Sequence, residues 1–363
     1  MRIAIDGHSI GTNTGGNEVY IRNLLETLSH LDTHNEYIIY VNPGISLDGL
    51  PPNYKTISIT SNRLFRPVHL SFRLKKDTPD IYHGQYFLPP LCNTASAVTV
   101  HDTSPISNPE WFTKKERLIF KFLGNSIKKA DKIITVSEFS KHELLEHFMV
   151  DQKKISVIYN GVNEIFKPDT EKIFSAGIKT KYSLPDDYIL CVSRFNSRKN
   201  ISLLIKAFSI FKKNNKNNIK LILVGANDGK SENLKALADS LCITSEVIFP
   251  GYIAYSDLPA IYASAALFVF PSFYEGFGIP PLEAMACGIP VIVSDIPVFS
   301  ELLGDSAIKI DPHSEENLAS AMEKVIFDGN LRENLINRGI KTAEKFKWQK
   351  TAEKTLELYK EII

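Results

Sequence analysis

Short apolar runs alternate with helical stripes along most of the chain. Segments 3–6, 37–41, 56–59, 80–83, 97–100 and 132–136 are brief, largely apolar and rich in β-branched or aromatic residues, so they predict buried strands. Between the first two, Val19, Ile21, Leu24, Leu25 and Leu28 recur at helical spacing. The alternation resumes at 188–193 and continues through 219–225, 265–270 and 291–293, with helices predicted from Ile201, over 315–327 and 331–346, and from Trp348 through Leu356, Leu358 and Tyr359. Strand–helix alternation of this kind predicts α/β architecture, with parallel sheets covered on both faces.

A chain of 363 residues is long for one core and favours two domains. Asn160-Gly161 signals a turn and Pro168 stops regular structure, which puts the boundary between 167 and 185. The net charge of +1 gives no reason to expect nucleic acid as a partner. Cys92, Cys191, Cys242 and Cys287 are scattered, which fits free thiols in a reducing compartment. No signal peptide precedes the first strand and no apolar stretch would span a bilayer, so a cytoplasmic protein is expected.

The most informative stretch is 271–295. A buried strand leads into Glu275-Gly276-Phe277-Gly278-Ile279-Pro280-Pro281-Leu282-Glu283; Pro281 suits a first helical turn and Gly288 a helix end. Free N–H groups at a helix start favour an anion, and the glycines let backbone approach it. Carboxylates repel phosphate, so Glu275 and Glu283 should face hydroxyls, such as a sugar and a ribose at the two ends of a diphosphate. The plainer alternative is two solvated glutamates. The run EGFGIPPLEAMACGIPVIVSD resembles the donor motif of family 4 glycosyltransferases, retaining enzymes of the GT-B fold. The resemblance implies two Rossmann-like domains facing across a cleft: 1–167, binding the acceptor, and 168–347, binding the nucleotide sugar. It also implies that helix 348–363 crosses back to the first domain. It assigns Glu275 to the donor sugar and Glu283 to the ribose, with Gly276, Phe277, Gly278 and Ile279 around the donor.

Other positions follow from pattern and resemblance together. After 188–193 come Arg194 and Lys199, cations at a strand end before a helix, suited to a diphosphate; the resemblance gives both that role. Arg198 is expected to face solvent. Gly15 and Gly16 end a glycine-rich loop between strand and helix, which the resemblance places near donor phosphates and acceptor. His101 ends the 97–100 strand, where open α/β sheets place ligands, and the resemblance makes it a contact to donor sugar or phosphate. Its neighbour Asp102 is no catalytic partner, since adjacent strand residues point to opposite faces. Gly251 and Tyr252 are expected near the base. No Asp-x-Asp pair is present, so no metal or other cofactor is expected, and Arg194, Lys199 and loop amides take the leaving-group charge.

Two stretches are basic and amphipathic. Segment 62–76 carries Arg63, Arg66, Arg73, Lys75 and Lys76 among Leu64, Phe65, Val68, Leu70 and Phe72. Segment 113–132 carries Lys114, Lys115, Arg117, Lys121, Lys128 and Lys129 among Leu118, Ile119, Phe120, Phe122 and Leu123. They suit peripheral contact with an anionic membrane, or equally a solvated face on a core-packed helix. MRIAIDGHSI, HDTSP and SEFSK look most like bacterial mannosyltransferases of surface-polysaccharide assembly, including O-antigen and lipopolysaccharide. That resemblance implies GDP-mannose as donor and a glycan or lipid-linked saccharide as acceptor. A UDP-hexose donor, a sugar-nucleotide epimerase and a non-catalytic sugar-nucleotide-binding protein are the alternatives. An NAD dehydrogenase lacks its G-x-G-x-x-G fingerprint.

Overall fold

The computed structural model describes residues 1–12, 15–60, 65–169, 173–225 and 231–363, with side chains at 173–176 left aside. Asn13 and Thr14 of the first glycine loop, Arg63 and Leu64 of the first basic stretch, and Ala226, which follows the 219–225 segment, lie outside the described residues. The chain forms two compact units. One is Met1–Gly161 with Lys347–Ile363, the other Val162–Phe346.

Among the described residues the first unit holds seven strands: β1 (Arg2–Asp6), β2 (Glu36–Val41), β3 (Tyr54–Ser58), β4 (Ile81–Gln85), β5 (Ala95–Val100), β6 (Lys132–Thr135) and β7 (Ile155–Val157). All pairs are parallel, in the order β3-β2-β1-β4-β5-β6-β7. Ile3, Ala4 and Ile5 are wholly buried, as expected for a central strand covered on both faces. The order reverses between β1 and β4, and a doubly wound sheet opens its ligand crevice at that reversal, outside the carboxyl ends of the strands.

The last helix, Trp348–Ile362, belongs to this unit and packs beside helix Gly16–Leu31. The Trp348 and Tyr20 rings lie 6.0 Å apart. The Tyr359 hydroxyl meets His83 Nδ1 at 2.6 Å, while His83 Nε2 meets Thr99 Oγ1 at 2.7 Å, so this buried imidazole is satisfied on both nitrogens. Where the chain returns, a Cβ on Gly161 would lie 2.1 Å from the Trp348 nitrogen, so only glycine fits.

The second unit holds β8 (Tyr188–Val192), β9 (Lys220–Val224), β10 (Val247–Ile248), β11 (Leu267–Phe270), β12 (Val291–Ser294) and β13 (Ile308–Ile310). They too are parallel, in the order β10-β9-β8-β11-β12-β13, which reverses between β8 and β11. The units divide at Gly161/Val162, ahead of the 167–185 stretch favoured from sequence. The reason is packing: the Val162 N–H donates to Phe346 O, and Phe166 sits edge-on to Tyr255 and Tyr262, all within the second unit.

Candidate active site

The reversal between β8 and β11 brings two loops together. The loop after β8 runs from Ser193 to Asn200, through a tight turn at Ser197–Lys199, into helix Ile201–Asn214. The loop after β11 leads to helix Ile279–Ala286. The Phe273 N–H donates to Arg198 O at 2.9 Å and fastens one loop to the other. Asn200 Nδ2 donates to Pro312 O at 2.8 Å, tying the first loop to the segment after β13.

Glu275 is the centre of this junction. It is buried, with Lys199 Nζ at 2.5 Å from Oε1 and Arg198 Nη1 at 3.5 Å from Oε2. Burial works to raise its carboxyl pKa, but Lys199 and Arg198 outweigh burial and hold it below the usual carboxylate range. Lys199 also lies over the Phe270 ring, 4.8 Å from its centroid. Arg198, expected to face solvent, instead turns in to Glu275 and to Tyr274 O at 3.4 Å, because a buried carboxylate draws both neighbouring cations. Arg194 is exposed at the carboxyl end of β8.

Glu283 lies on helix Ile279–Ala286 and is also buried, yet among the described residues no cation meets it. Its Oε2 accepts from the Tyr262 hydroxyl at 3.0 Å, and its other oxygen takes no hydrogen bond from the described residues. Burial raises its pKa to about 7, against the smaller lowering effect of Tyr262. Two buried glutamates eight positions apart thus sit in opposite electrostatic surroundings. Tyr262 has no sequence signal linking it to Glu283; the fold alone unites them.

The backbone around these carboxylates is specialised. Gly278 starts the helix at φ 98°, and a Cβ there would meet Phe299 Cε1 at 2.6 Å. No side chain caps this helix. Pro280 and Pro281 carry no N–H, so first-turn donors for an anion narrow to Ile279 and the residues before it. The Phe277 and Ile279 side chains are buried, Phe277 edge-on to Phe346, and Gly276 lies between Glu275 and Phe277. Gly251 takes φ 80°, and Tyr252 beside it is 69% exposed, a free aromatic face.

In the first unit, Gly15 (φ 73°) precedes helix Gly16–Leu31, and a Cβ at Gly16 would meet nothing within 4 Å. His101 is almost wholly buried, edge-on to Tyr20 and Tyr86, with Nε2 3.3 Å from Gln85 Oε1. Burial lowers its pKa to about 3, so the ring is neutral at physiological pH. Asp102 turns to the Ser104 amide and hydroxyl, away from any pairing with His101. Arg66, counted from sequence in a basic surface stretch, is buried: Nη2 meets Asp6 Oδ1 at 2.9 Å and donates to Tyr40 O. Arg73 is likewise engaged, by Asp77 at 2.7 Å. Among the described residues, no group of three His, Cys, Asp or Glu side chains is placed to hold a metal ion.

Two family models match: Glycosyltransferase Family 4 over residues 14–165 and Glycosyl transferases group 1 over 177–342. An O-antigen chain mannosyltransferase B of Escherichia coli is 31% identical over 304 residues, covering 83% of this chain and 80% of that protein. The chain belongs to the family 4 glycosyltransferases. Another relative of this enzyme, O-antigen chain mannosyltransferase RfbU of Salmonella typhimurium, is 36% identical over 229 residues, 63% of this chain and 60% of that one. Anabaena HepE, solved in complex with UDP-glucose, superposes with a TM-score of 0.80 at 17% identity over 99% of this chain and all of its own, which shares the fold. The glycosyltransferase is thus an α/β protein of the GT-B class with a parallel, doubly wound sheet in each unit.

Proposed function

We propose that the protein transfers mannose from GDP-mannose, with retention, to a glycan or lipid-linked saccharide in bacterial surface-polysaccharide assembly. The observation carrying the reading is the buried, ionised Glu275 between two cations at the reversal of the second sheet. An entering diphosphate offers Lys199 a second anion, while Glu275, kept ionised, accepts from hydroxyls of the donor sugar. Glu283 takes the ribose, whose hydroxyls supply the donors its unbonded oxygen lacks. Arg194, Lys199 and the amides of 276–279 meet the charge that grows on the leaving diphosphate, without metal. The acceptor oxygen bonds to the anomeric carbon as the carbon–phosphate-oxygen bond breaks on the same face, and the departing phosphate takes the acceptor's proton. Mannose is favoured by the names of the two bacterial relatives; UDP-glucose beside HepE keeps a UDP-hexose as the second reading.

The test is a donor panel of GDP-, UDP- and ADP-sugars, with and without acceptor and with EDTA. The expected outcome is GDP release from GDP-mannose that requires acceptor and survives chelation. Conversion of donor sugar without acceptor would indicate an epimerase instead. Loss with EDTA, restored by Mg²⁺ or Mn²⁺, would contradict the metal-free assignment.

We also place the enzyme at the cytoplasmic face of an anionic membrane. The helices that carry the basic stretches cover one face of the first sheet: Leu70, Leu74, Leu123 and Ile127 all point into the same core cluster. Their outer surfaces expose Phe72, Leu118 and Phe122 beside Lys75, Lys76, Lys115 and Lys121. Phenylalanine and leucine among lysines suit the boundary between headgroups and acyl chains.

A further inference from the structure

At the carboxyl end of β1, where the first sheet reverses, four side chains close a ring of hydrogen bonds. Asp6 Oδ2 meets His8 Nδ1 at 2.8 Å, and Asp6 Oδ1 receives the His8 N–H at 3.2 Å. Arg66 Nη2 donates to the same Oδ1 at 2.9 Å, and Arg66 Nη1 to Asn42 Oδ1 at 3.2 Å. Asn42 Nδ2 returns to His8 O at 2.6 Å. Asp6 and Arg66 are buried, whereas the His8 side chain is 37% exposed.

This arrangement fixes the histidine's chemistry. Burial would raise the Asp6 carboxyl, but His8 and Arg66 outweigh it and keep Asp6 ionised. An ionised carboxylate only accepts, so His8 Nδ1 must carry the proton. In the neutral ring Nε2 is then a bare lone pair, and no described residue donates to it. A buried Arg–Asp pair that orients one exposed imidazole, at the strand end where ligands enter such sheets, is a built acceptor of one hydrogen bond.

We propose that His8 Nε2 accepts a hydrogen bond from a non-reacting hydroxyl of the acceptor saccharide and so positions that sugar at the carboxyl end of the first sheet. Asp6, Arg66 and Asn42 are positioning residues that set the tautomer and hold the ring. The inference rests on the enzyme being a glycosyltransferase and is independent of which donor it uses.

Steady-state kinetics of the full chain, with GDP-mannose as donor and methyl α-mannoside as acceptor, separate the two substrates. Replacing His8→Leu should raise the acceptor KM by about tenfold or more, the scale of one lost hydrogen bond, with the donor KM within about twofold. His8→Gln, whose amide oxygen still accepts, should recover part of the loss. A donor KM that moves instead, or an acceptor KM unchanged in His8→Leu, overturns the proposal. Should GDP-mannose not react, the donor reading above falls, and the ¹⁵N spectrum of the imidazole still decides on His8. In the neutral ring the proton must lie on Nδ1, the nitrogen that faces Asp6. A proton on Nε2 overturns the proposal.

Discussion

Glu283 gives the proposed donor site a pH dependence of definite sign. Its folded pKa, about 7, lies above the ordinary 4.5, so between these values the folded chain holds a proton that the unfolded chain has released. Its contribution to stability is therefore full below pH 4.5 and is lost as pH rises through 7. The loss is at most on the order of 3 kcal/mol. Ionisation leaves both carboxylate oxygens as acceptors, so nucleotide affinity should strengthen over the same interval. Calorimetry of GDP binding from pH 5.5 to 8.5 should show tightening through about 7 in the wild type and a flat profile in Glu283→Gln. A flat wild-type profile contradicts the ribose assignment. The spacing of Glu275 and Glu283 was visible in the sequence, because a loop and a short helix present them in one motif. The partnership of Arg198 with Glu275 was not: the two lie far apart along the chain, and only the adjacency of β8 and β11 brings them together. The depth of Arg66 was equally hidden, since its partner Asp6 lies 60 residues upstream.

Helix Ile279–Ala286 is the element on which the proposed donor site turns. Its prolines preset the first turn and its glycine cap takes a backbone conformation that other residues resist. Gly278→Ala should destabilise the second unit by about 2 kcal/mol or more, since Ala at φ 98° is strained and its Cβ would press on the buried Phe299 ring. A fall in thermal midpoint with weaker GDP binding is expected; an unchanged midpoint would mean the loop relaxes freely. Most strands were legible as apolar runs. β10 and β13 were not, having two and three residues, too few for any period to show. Both lie at sheet edges, where pairing with a longer neighbour rather than local preference defines them.

For the whole molecule, the net charge of +1 conceals an uneven surface. The lysines and exposed phenylalanines on one side of the first unit predict flotation with vesicles rich in phosphatidylglycerol, released by about 0.5 M salt as screening shortens. Binding that ignores the anionic lipid fraction contradicts the membrane proposal. Among the described residues, no helix is long and apolar enough to cross a bilayer. The proposed transfer requires a pyrophosphate lying over the second sheet where β8 and β11 part. A crystal structure of the protein with GDP tests this most directly. The account predicts phosphate oxygens within hydrogen-bond reach of Arg194, Lys199 and the Gly278 and Ile279 amides, and ribose hydroxyls on Glu283. GDP seated away from these groups, or ribose turned from Glu283, would contradict it.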